Sequence, residues 1–377
     1  MKKLRSNIIT LVIVSALVLF FVVKDDFDEI INVLLSANKL YILFGILFIL
    51  LGDIFRSISI NKIIKKNNKK YKFKDALLLT IETNFFNGIT PFSSGGQPFQ
   101  LYILNKKNKI DYVTGVSVLF KDFYTYQISL VIVSTLCIIV NYLFNIVILP
   151  SFIRKLIFLG YTINLAVALF LICVPYLKNS KNKLIGYGAN LLNKIGAIKD
   201  KERLENNVNS YIMDFKKKIK DTIKDRKLIT ICILLNVFKF ITSGIVVYLC
   251  FKSANSYVPL LESVIISIII TTMASFVPIP GASGGMEYGF IALFSYYVLD
   301  VKLGAVMLIW RFLTYYLLVI FGGILFAFEG REWVYAYRNF YRNIYTICKW
   351  CSNKYNDVKK VIRRFRPWCV CCNYKSR

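Results

Sequence analysis

Thr90-Pro-Phe-Ser-Ser-Gly-Gly-Gln-Pro-Phe-Gln-Leu-Tyr-Ile-Leu104 aligns without gaps on Ile279-Pro-Gly-Ala-Ser-Gly-Gly-Met-Glu-Tyr-Gly-Phe-Ile-Ala-Leu293, 189 residues further along the chain. The two stretches share the pattern Pro-x-x-Ser-Gly-Gly. The helix that follows each stretch keeps the same offset: Gly115, Leu119, Phe123, Thr125 and Tyr126 match Gly304, Leu308, Phe312, Thr314 and Tyr315. Two matches in a row at one offset indicate an internal repeat. The alternative is a pair of unrelated helix kinks.

The composition is that of a membrane protein. Hydrophobic residues make up 56% of the 377 residues, and the mean hydropathy is +0.55. Apolar runs of about 20 residues recur along the chain, and this is the length that a hydrocarbon layer about 30 Å thick requires. We predict an all-α polytopic membrane protein with about six full spans, at 7–23, 40–60, 113–144, 152–177, 228–250 and 305–328.

The distribution of charge predicts which loops are cytoplasmic. The chain carries 49 Lys+Arg against 21 Asp+Glu, a formal net charge of +28, and no histidine. The basic residues lie in short loops beside apolar spans, which is typical of cytoplasmic loops that face anionic lipid. We therefore expect cytoplasmic N- and C-termini, anionic lipid at the cytoplasmic face and no nucleic-acid partner. The lack of histidine excludes histidine triads and histidine general bases.

Short apolar pieces flank both repeated stretches. The pieces at 76–90 and 97–104 lie between basic loops, so the chain enters and leaves on one face as a re-entrant hairpin. The pieces at 260–277 and 287–297 have weakly charged flanks, which suit the outside face. We predict an inverted repeat with two re-entrant helical hairpins. Residues 1–330 form the transmembrane domain, with repeat 1 at about 40–146, a basic cytoplasmic connector at 178–227, repeat 2 at about 228–328 and a basic cytoplasmic tail at 331–377.

The interrupted tips predict an anion site, because such breaks mark the substrate site of many inverted-repeat transporters. In the tip that begins at Pro91, Ser94 is placed to cap the returning half-helix, and Gln97 completes a capping box. Gly95 and Gly96 leave their amides uncovered at the positive end of the helix dipole, which favours a lipid phosphate. The second copy comprises Pro280, Ser283, Gly284 and Gly285. The alternative is a tight hairpin that needs glycine only for close packing.

Several ionisable residues fall at membrane depth, where charges usually face a cavity or one another. They are Asp53, Arg56, Glu82, Asp122, Lys239, Glu287 and Arg311. Asp122 and Arg311 occupy equivalent places in the two repeats, so we predict that they pair, either for structure alone or within a substrate site. Glu287 either satisfies local N–H groups or meets an ammonium group or a coupling proton. We favour a headgroup phosphate as the partner of Arg56, although snorkelling toward the cytoplasmic side is the alternative.

The C-terminal tail contains a spacing that fits a four-thiolate zinc site. Its cysteines are Cys348, Cys351, Cys369 and Cys372, with Cys371 in addition. The same segment fits an amphipathic helix on the membrane surface equally well. We assign neither a metal nor a cofactor.

Asn84-Phe-Phe-Asn-Gly-Ile-Thr-Pro-Phe-Ser-Ser-Gly-Gly-Gln-Pro98 and Pro278-Ile-Pro-Gly-Ala-Ser-Gly-Gly-Met-Glu287 resemble the two signature segments of the lysylphosphatidylglycerol synthase transmembrane region, or flippase-like domain family. The resemblance extends from about residue 5 to 330. It implies a domain that moves a lipid between leaflets, next to a separate acyltransferase domain that transfers lysine from lysyl-tRNA to phosphatidylglycerol. It also implies the bacterial plasma membrane and a link to resistance against cationic peptides. About 50 residues follow the last span, so we expect no acyltransferase domain.

The first hypothesis is therefore a lipid flippase for an anionic or aminoacylated phospholipid, with headgroups as its partners and a homo-oligomer as one possible assembly. Its candidate substrate-binding residues are Arg56, Pro91, Ser94, Gly95, Gly96, Gln97, Asp122, Pro280, Ser283, Gly284, Gly285, Glu287 and Arg311. The alternatives are a phosphatidylglycerol lysyltransferase, for which the sequence shows no catalytic residues, and a membrane scaffold for a separate synthase.

Overall fold

The computed structural model describes residues 27–90, 95–176, 210, 213–221, 223–275, 277, 279–298 and 300–329. The predicted first span at 7–23, the tail at 331–377 and most of the connector at 178–227 lie outside this set. Within it the chain folds only into helices and the turns between them.

The helices follow one another as a single series. They are α1 (Phe27–Ser36), α2 (Lys39–Lys65), α3 (Phe73–Gly88), α4 (Gly96–Lys106), α5 (Tyr112–Phe144), α6 (Ser151–Cys173), α7 (Arg226–Ser253), α8 (Leu260–Ala274), α9 (Gly285–Phe294), α10 (Asp300–Arg311) and α11 (Leu317–Glu329). Two 3₁₀ turns lie at Val174–Tyr176 and Pro280–Ala282, and a π-helical turn at Phe312–Tyr316 joins α10 to α11.

Five helices in the described part of the chain are long and apolar enough to cross a membrane. They are Lys39–Lys65, Tyr112–Phe144, Ser151–Cys173, Arg226–Ser253 and Lys302–Phe326. They confirm five of the six predicted spans, and the sixth falls outside the described residues. Large apolar side chains on α5 and α6 stay exposed, as lipid contact requires; these include Leu136, Leu143, Phe158, Leu169 and Phe170. The chain is a multi-pass membrane protein.

Acidic or amide side chains cap the long helices at their N-termini, where free amides need acceptors. Asn38 caps α2 by accepting from the Leu40 amide, and Asp111 caps α5 by accepting from the Thr114 amide. Asp225 caps α7 in the same way. These caps fix where each apolar run begins.

The helices α2 and α7 form an antiparallel pair along their whole length. At one end, the Asn38 amide donates to the Ser253 carbonyl over 2.8 Å. At the other, Lys66 Nζ lies 2.7 Å from Asp225 Oδ2. Between them, the rings of Phe55 and Phe238 lie 5.6 Å apart, centroid to centroid. The predicted equivalents Phe55 and Phe238 therefore sit face to face on helices that run in opposite directions.

Two pairs of short helices follow these long ones. The first pair, α3 and α4, has 16 and 11 residues, and the second pair, α8 and α9, has 15 and 10. At about 1.5 Å per residue, each helix measures roughly 15–24 Å, which is less than the roughly 30 Å of hydrocarbon. The order long, short, short, long thus occurs in α2–α5 and again in α7–α11.

The largest apolar core lies among α7 to α10. Phe251, Phe290 and Phe294 are fully buried, and the Trp310 ring stacks on Phe290 with centroids 4.7 Å apart. Polar contacts attach α6 to this core. Asn164 on α6 accepts from Gln127 Nε2 over 2.8 Å and donates to the Thr272 carbonyl over 3.2 Å. Buried amide pairs of this kind join helices where lipid offers no hydrogen bonds.

Candidate functional site

Five side chains from three long helices form a cluster in the interior, which we call the central charge cluster. Its members are Asp53 and Arg56 on α2, Asp122 and Tyr126 on α5, and Lys239 on α7. Each pair on one helix lies about one turn apart, so both members share a helix face. Asp53 and Asp122 are only 4% and 3% exposed. Charges buried at this depth are costly and mark functional positions in membrane proteins.

The cations of the central charge cluster meet over one aromatic ring. Arg56 forms an ion pair with Asp122 and donates to Asn236 Oδ1 over 3.2 Å. The Arg56 guanidinium lies 5.3 Å from the Tyr126 ring centroid, and Lys239 Nζ lies 5.4 Å from the same centroid. A tyrosine ring attracts cations through its negative face, so Tyr126 holds two positive groups side by side.

The carboxylates of the central charge cluster keep unused acceptors. Asp53 Oδ1 accepts from Asn84 Nδ2 over 3.1 Å. Asp53 Oδ2 and Asp122 Oδ1 are buried, and neither accepts a hydrogen bond from any group that the structure describes. A buried acceptor without a donor is unfavourable by roughly 1–3 kcal/mol. The cluster therefore presents two cations and two bare carboxylate oxygens, which suits a ligand that has both signs of charge.

Glu287 and Arg311 form a second buried ion pair, at the tip of the second hairpin. Arg311 Nη2 lies 2.6 Å from Glu287 Oε1, and both terminal nitrogens of Arg311 donate to the Gly281 carbonyl over 3.3 Å. Glu287 Oε2 accepts from the Gly284 amide over 2.7 Å. The protein's own carboxylate thus occupies the position in which we predicted a bound anion at the N-terminus of α9.

Tyr315 connects the two hairpins. Its hydroxyl donates to the Gly88 carbonyl at the end of α3 over 3.0 Å, and its ring packs on Gly281. Gly281 has φ 63°, in the left-handed region, and a Cβ there would clash with the Tyr315 ring. Glycine is therefore required at position 281 both for its backbone conformation and for the close approach of the ring.

The amides at the first tip are not bare, so that part of the prediction is wrong. The Gly95 amide donates to Thr90 Oγ1 over 2.8 Å, and the Gly96 amide donates to Asn87 Oδ1 over 3.0 Å. Thr90 and Asn87 belong to the preceding helix and turn, and they lie where an incoming phosphate would have to bind. Close packing contributes as well, because a Cβ on Gly96 would lie 2.5 Å from Asn87 Oδ1.

The remaining tip residues behave differently from the predicted capping pattern. Gly95 is the N-cap of α4, and Gln97 is exposed. The Ser283 hydroxyl donates to the Pro280 carbonyl over 3.1 Å, so Gly284 is the N-cap of α9 and Ser283 is not. Gly285 packs against Val277. The predicted site residues Pro91 and Ser94 lie outside the described residues.

The predicted pair between Asp122 and Arg311 does not form. Asp122 pairs with Arg56, and Arg311 pairs with Glu287. Each repeat therefore has its own ion pair at the equivalent position, with the acid and the base exchanged. One turn further along the helix, Tyr126 faces the cations Arg56 and Lys239, and Tyr315 faces Arg311 at 5.4 Å.

Several residues of the site were absent from the predicted set, although the sequence contained signals for them. Tyr126 and Tyr315 are matched residues of the internal repeat, and Lys239 matches Arg56 in the looser alignment of α2 and α7. Asn84 and Asn87 lie inside the first signature segment. Asn236 had no signal, because its role depends on which face of α7 meets Arg56.

Metal binding has no support in the described residues, where no group of three His, Cys, Asp or Glu side chains is arranged to hold an ion. The tail cysteines 348, 351, 369 and 372 lie outside those residues.

Comparison with known proteins identifies the family. No curated protein matches the chain. A family model described as the lysylphosphatidylglycerol synthase TM region matches residues 7–322, which include both hairpins and all three helices of the central charge cluster. The match covers more than half of the chain and agrees with the resemblance of the two signature segments. The chain belongs to the lysylphosphatidylglycerol synthase transmembrane family.

Proposed function

We propose that this protein moves a phospholipid with an anionic or aminoacylated headgroup between the leaflets of a bacterial plasma membrane. The observation that carries the proposal is the central charge cluster, a buried group of two cations and two carboxylates in the membrane interior. Such groups in transporters bind substrates or coupling ions.

The chemistry of the cluster matches a headgroup that has a phosphate and an amine. The phosphate would bind Arg56 and Lys239, because guanidinium and ammonium groups are the strongest side-chain donors to phosphate oxygens. The amine would donate to Asp53 Oδ2 and Asp122 Oδ1, the two buried oxygens without a donor among the described groups. An aminoacylated lipid satisfies all four side chains at once.

The arrangement of helices supports an alternating-access mechanism. The equivalent helices α2 and α7 run antiparallel, as the inverted halves of a transporter do. The short helices α3, α4, α8 and α9 would form the re-entrant hairpins of the two halves. Their tips touch through Tyr315, which donates to Gly88 and packs on Gly281. We assign the tips to the gating of the cluster, since their amides already have acceptors.

A leaflet assay on proteoliposomes tests the proposal. Fluorescent phosphatidylglycerol and its lysyl ester are placed in both leaflets, and a membrane-impermeant reductant then reports the accessible fraction over time. We expect Arg56→Gln and Lys239→Gln to slow the exchange of both lipids by roughly tenfold or more, because each removes a charge-assisted phosphate contact. Lys252→Gln is the matched control, because Lys252 stacks near Tyr248 and Tyr257 at the end of α7, away from the cluster.

The acidic residues separate the two lipids. We expect Asp53→Asn to slow the exchange of the lysyl ester more than that of phosphatidylglycerol, because only the lysyl ester has an amine to bind. Exchange at the wild-type rate in all three cluster variants would contradict the proposal. Loss of exchange in Lys252→Gln alone would point to a different site.

A further inference from the structure

Lys121 is a buried cation that the central charge cluster does not use. Its side chain on α5 is 0% exposed, and its ammonium has no hydrogen-bond acceptor among the groups that the structure describes. An ammonium group buried in this way is unfavourable unless a counter-ion or an acceptor compensates for the loss of water. The position therefore requires an acceptor that is not one of the described side chains.

The charges around Lys121 do not supply that acceptor. Lys66 and Lys218 lie within electrostatic range and repel the Lys121 ammonium, whereas Asp221 attracts it. The nearby carboxylates Asp225 and Asp111 already pair with Lys66 and Lys218, at 2.7 and 3.5 Å. Three ammonium groups thus converge, and Lys121 is the one without a bonded partner in the described structure.

A cavity of about 280 Å³ opens beside these lysines. Its polar lining residues are Asn67, Asn68, Lys109, Asp111, Thr114 and Lys218. Thr114 precedes Lys121 by seven residues, or about two helical turns, so the two side chains share a face of α5. Lys218 donates to Thr114 Oγ1 at the cavity. The cavity therefore lies along the face of α5 on which Lys121 is buried.

We propose that this cavity binds a phosphate-bearing anion, held by Lys109 and Lys218 at its wall and by Lys121 below. Phosphate oxygens only accept hydrogen bonds, and they pair well with several lysines at once. The cavity lies beside the basic loops at 62–74 and 106–109, at the end of the bundle where anionic lipid would collect. An anionic lipid headgroup and a soluble phosphate share this chemistry. The site is separate from the central charge cluster and does not depend on transport.

Binding to the purified, delipidated full chain tests this site. Melting temperature and native mass spectrometry are followed while three probes are added: phosphatidylglycerol, phosphatidylcholine and inorganic phosphate. We expect phosphatidylglycerol to raise the melting temperature, and Lys121→Gln and Lys218→Gln each to weaken its binding by roughly tenfold, as expected for one lost charge-assisted contact. Lys74→Gln, which changes an exposed lysine of α3, is the matched control and should bind as the wild type does.

The three probes distinguish the sources of the phosphate. A response to phosphatidylglycerol alone assigns a lipid headgroup, and a response to inorganic phosphate as well assigns the phosphate group itself. Lys218 is partly exposed, so its variant reports on binding even if Lys121→Gln fails to fold. Wild-type affinity in the Lys218 variant overturns the proposal. A lower melting temperature in Lys121→Gln with unchanged lipid binding also overturns it, because Lys121 would then pair with a carboxylate of the chain.

Discussion

Glu287→Gln removes the carboxylate that joins the second hairpin to α10. The change leaves the Arg311 guanidinium, which is only 3% exposed, without its counter-ion. The glutamine carbonyl can accept from Arg311 or from the Gly284 amide, whereas the two carboxylate oxygens now serve both donors. Removing one partner of a buried ion pair destabilises a protein by roughly 3–5 kcal/mol. We therefore expect a free energy of unfolding lower by that amount.

The expected change in melting temperature follows from this energy. A loss of 1 kcal/mol lowers the melting temperature by about 2–4 °C in domains of 150–250 residues, so Glu287→Gln should lower it by on the order of 10 °C. The assay heats the detergent-purified protein and measures the monodisperse fraction by size-exclusion chromatography. Glu262→Gln is the matched control, since Glu262 begins α8 and has no ion pair in the described structure.

The double variant Glu287→Gln/Arg311→Met separates the pair from its surroundings. Replacing a whole buried ion pair by neutral groups is often close to neutral for stability, so we expect this variant to recover most of the lost melting temperature. The reasoning is refuted if Glu287→Gln melts within about 2 °C of the wild type. It is also refuted if the double variant is less stable than Glu287→Gln, because the two residues would then act independently.

Three further predictions address other contacts. Tyr315→Phe removes the hydrogen bond to the Gly88 carbonyl; we expect a loss of roughly 0.5–1.5 kcal/mol and an altered lipid exchange rate, measured by thermal unfolding and by the leaflet assay. Asn164→Leu leaves the buried Gln127 amide without its acceptors, and it should lower stability by roughly 1–3 kcal/mol in the same unfolding assay, whereas an unchanged melting temperature would exclude a role for this contact. Partial burial raises the pKa of Asp111, but its hydrogen bonds and a neighbouring lysine lower it further, so the net pKa lies below the ordinary aspartate value. The stabilisation should be complete above the ordinary pKa of about 3.9 and should disappear as the pH falls below it, so the melting temperatures of wild type and Asp111→Asn should differ near pH 6 and converge in acid.

The sequence predicted the helices well because the bilayer imposes their length. The apolar run at 40–60 predicted α2, observed at Lys39–Lys65, and the Gly/Pro-rich stretches predicted the interruptions after α3 and α8. The offset of 189 residues also predicted that Asp122 and Arg311 occupy equivalent positions. These features depend on local composition and on comparison of the chain with itself.

The partners of the buried charges could not be predicted in the same way. Periodicity places Asp122 and Arg311 at membrane depth, but it does not tell which neighbouring helix each side chain faces. Arg56 reaches Asp122 only because α2 packs against both α5 and α7. The acceptors for the tip amides come from Asn87 and Thr90, and their contribution depends on how tightly the chain folds back on itself. The three-dimensional arrangement decides these contacts, and one sequence contains little trace of it.

The antiparallel pair of α2 and α7 has a mechanical consequence. A hydrogen bond at one end, an ion pair at the other and stacked phenylalanines between them hold the two helices in register. Neither helix can slide along the other without losing contacts at both ends. Any change in which face of the membrane reaches the interior must therefore come from tilting of the shorter helices against this fixed pair, and piston-like movement of the long ones is disfavoured.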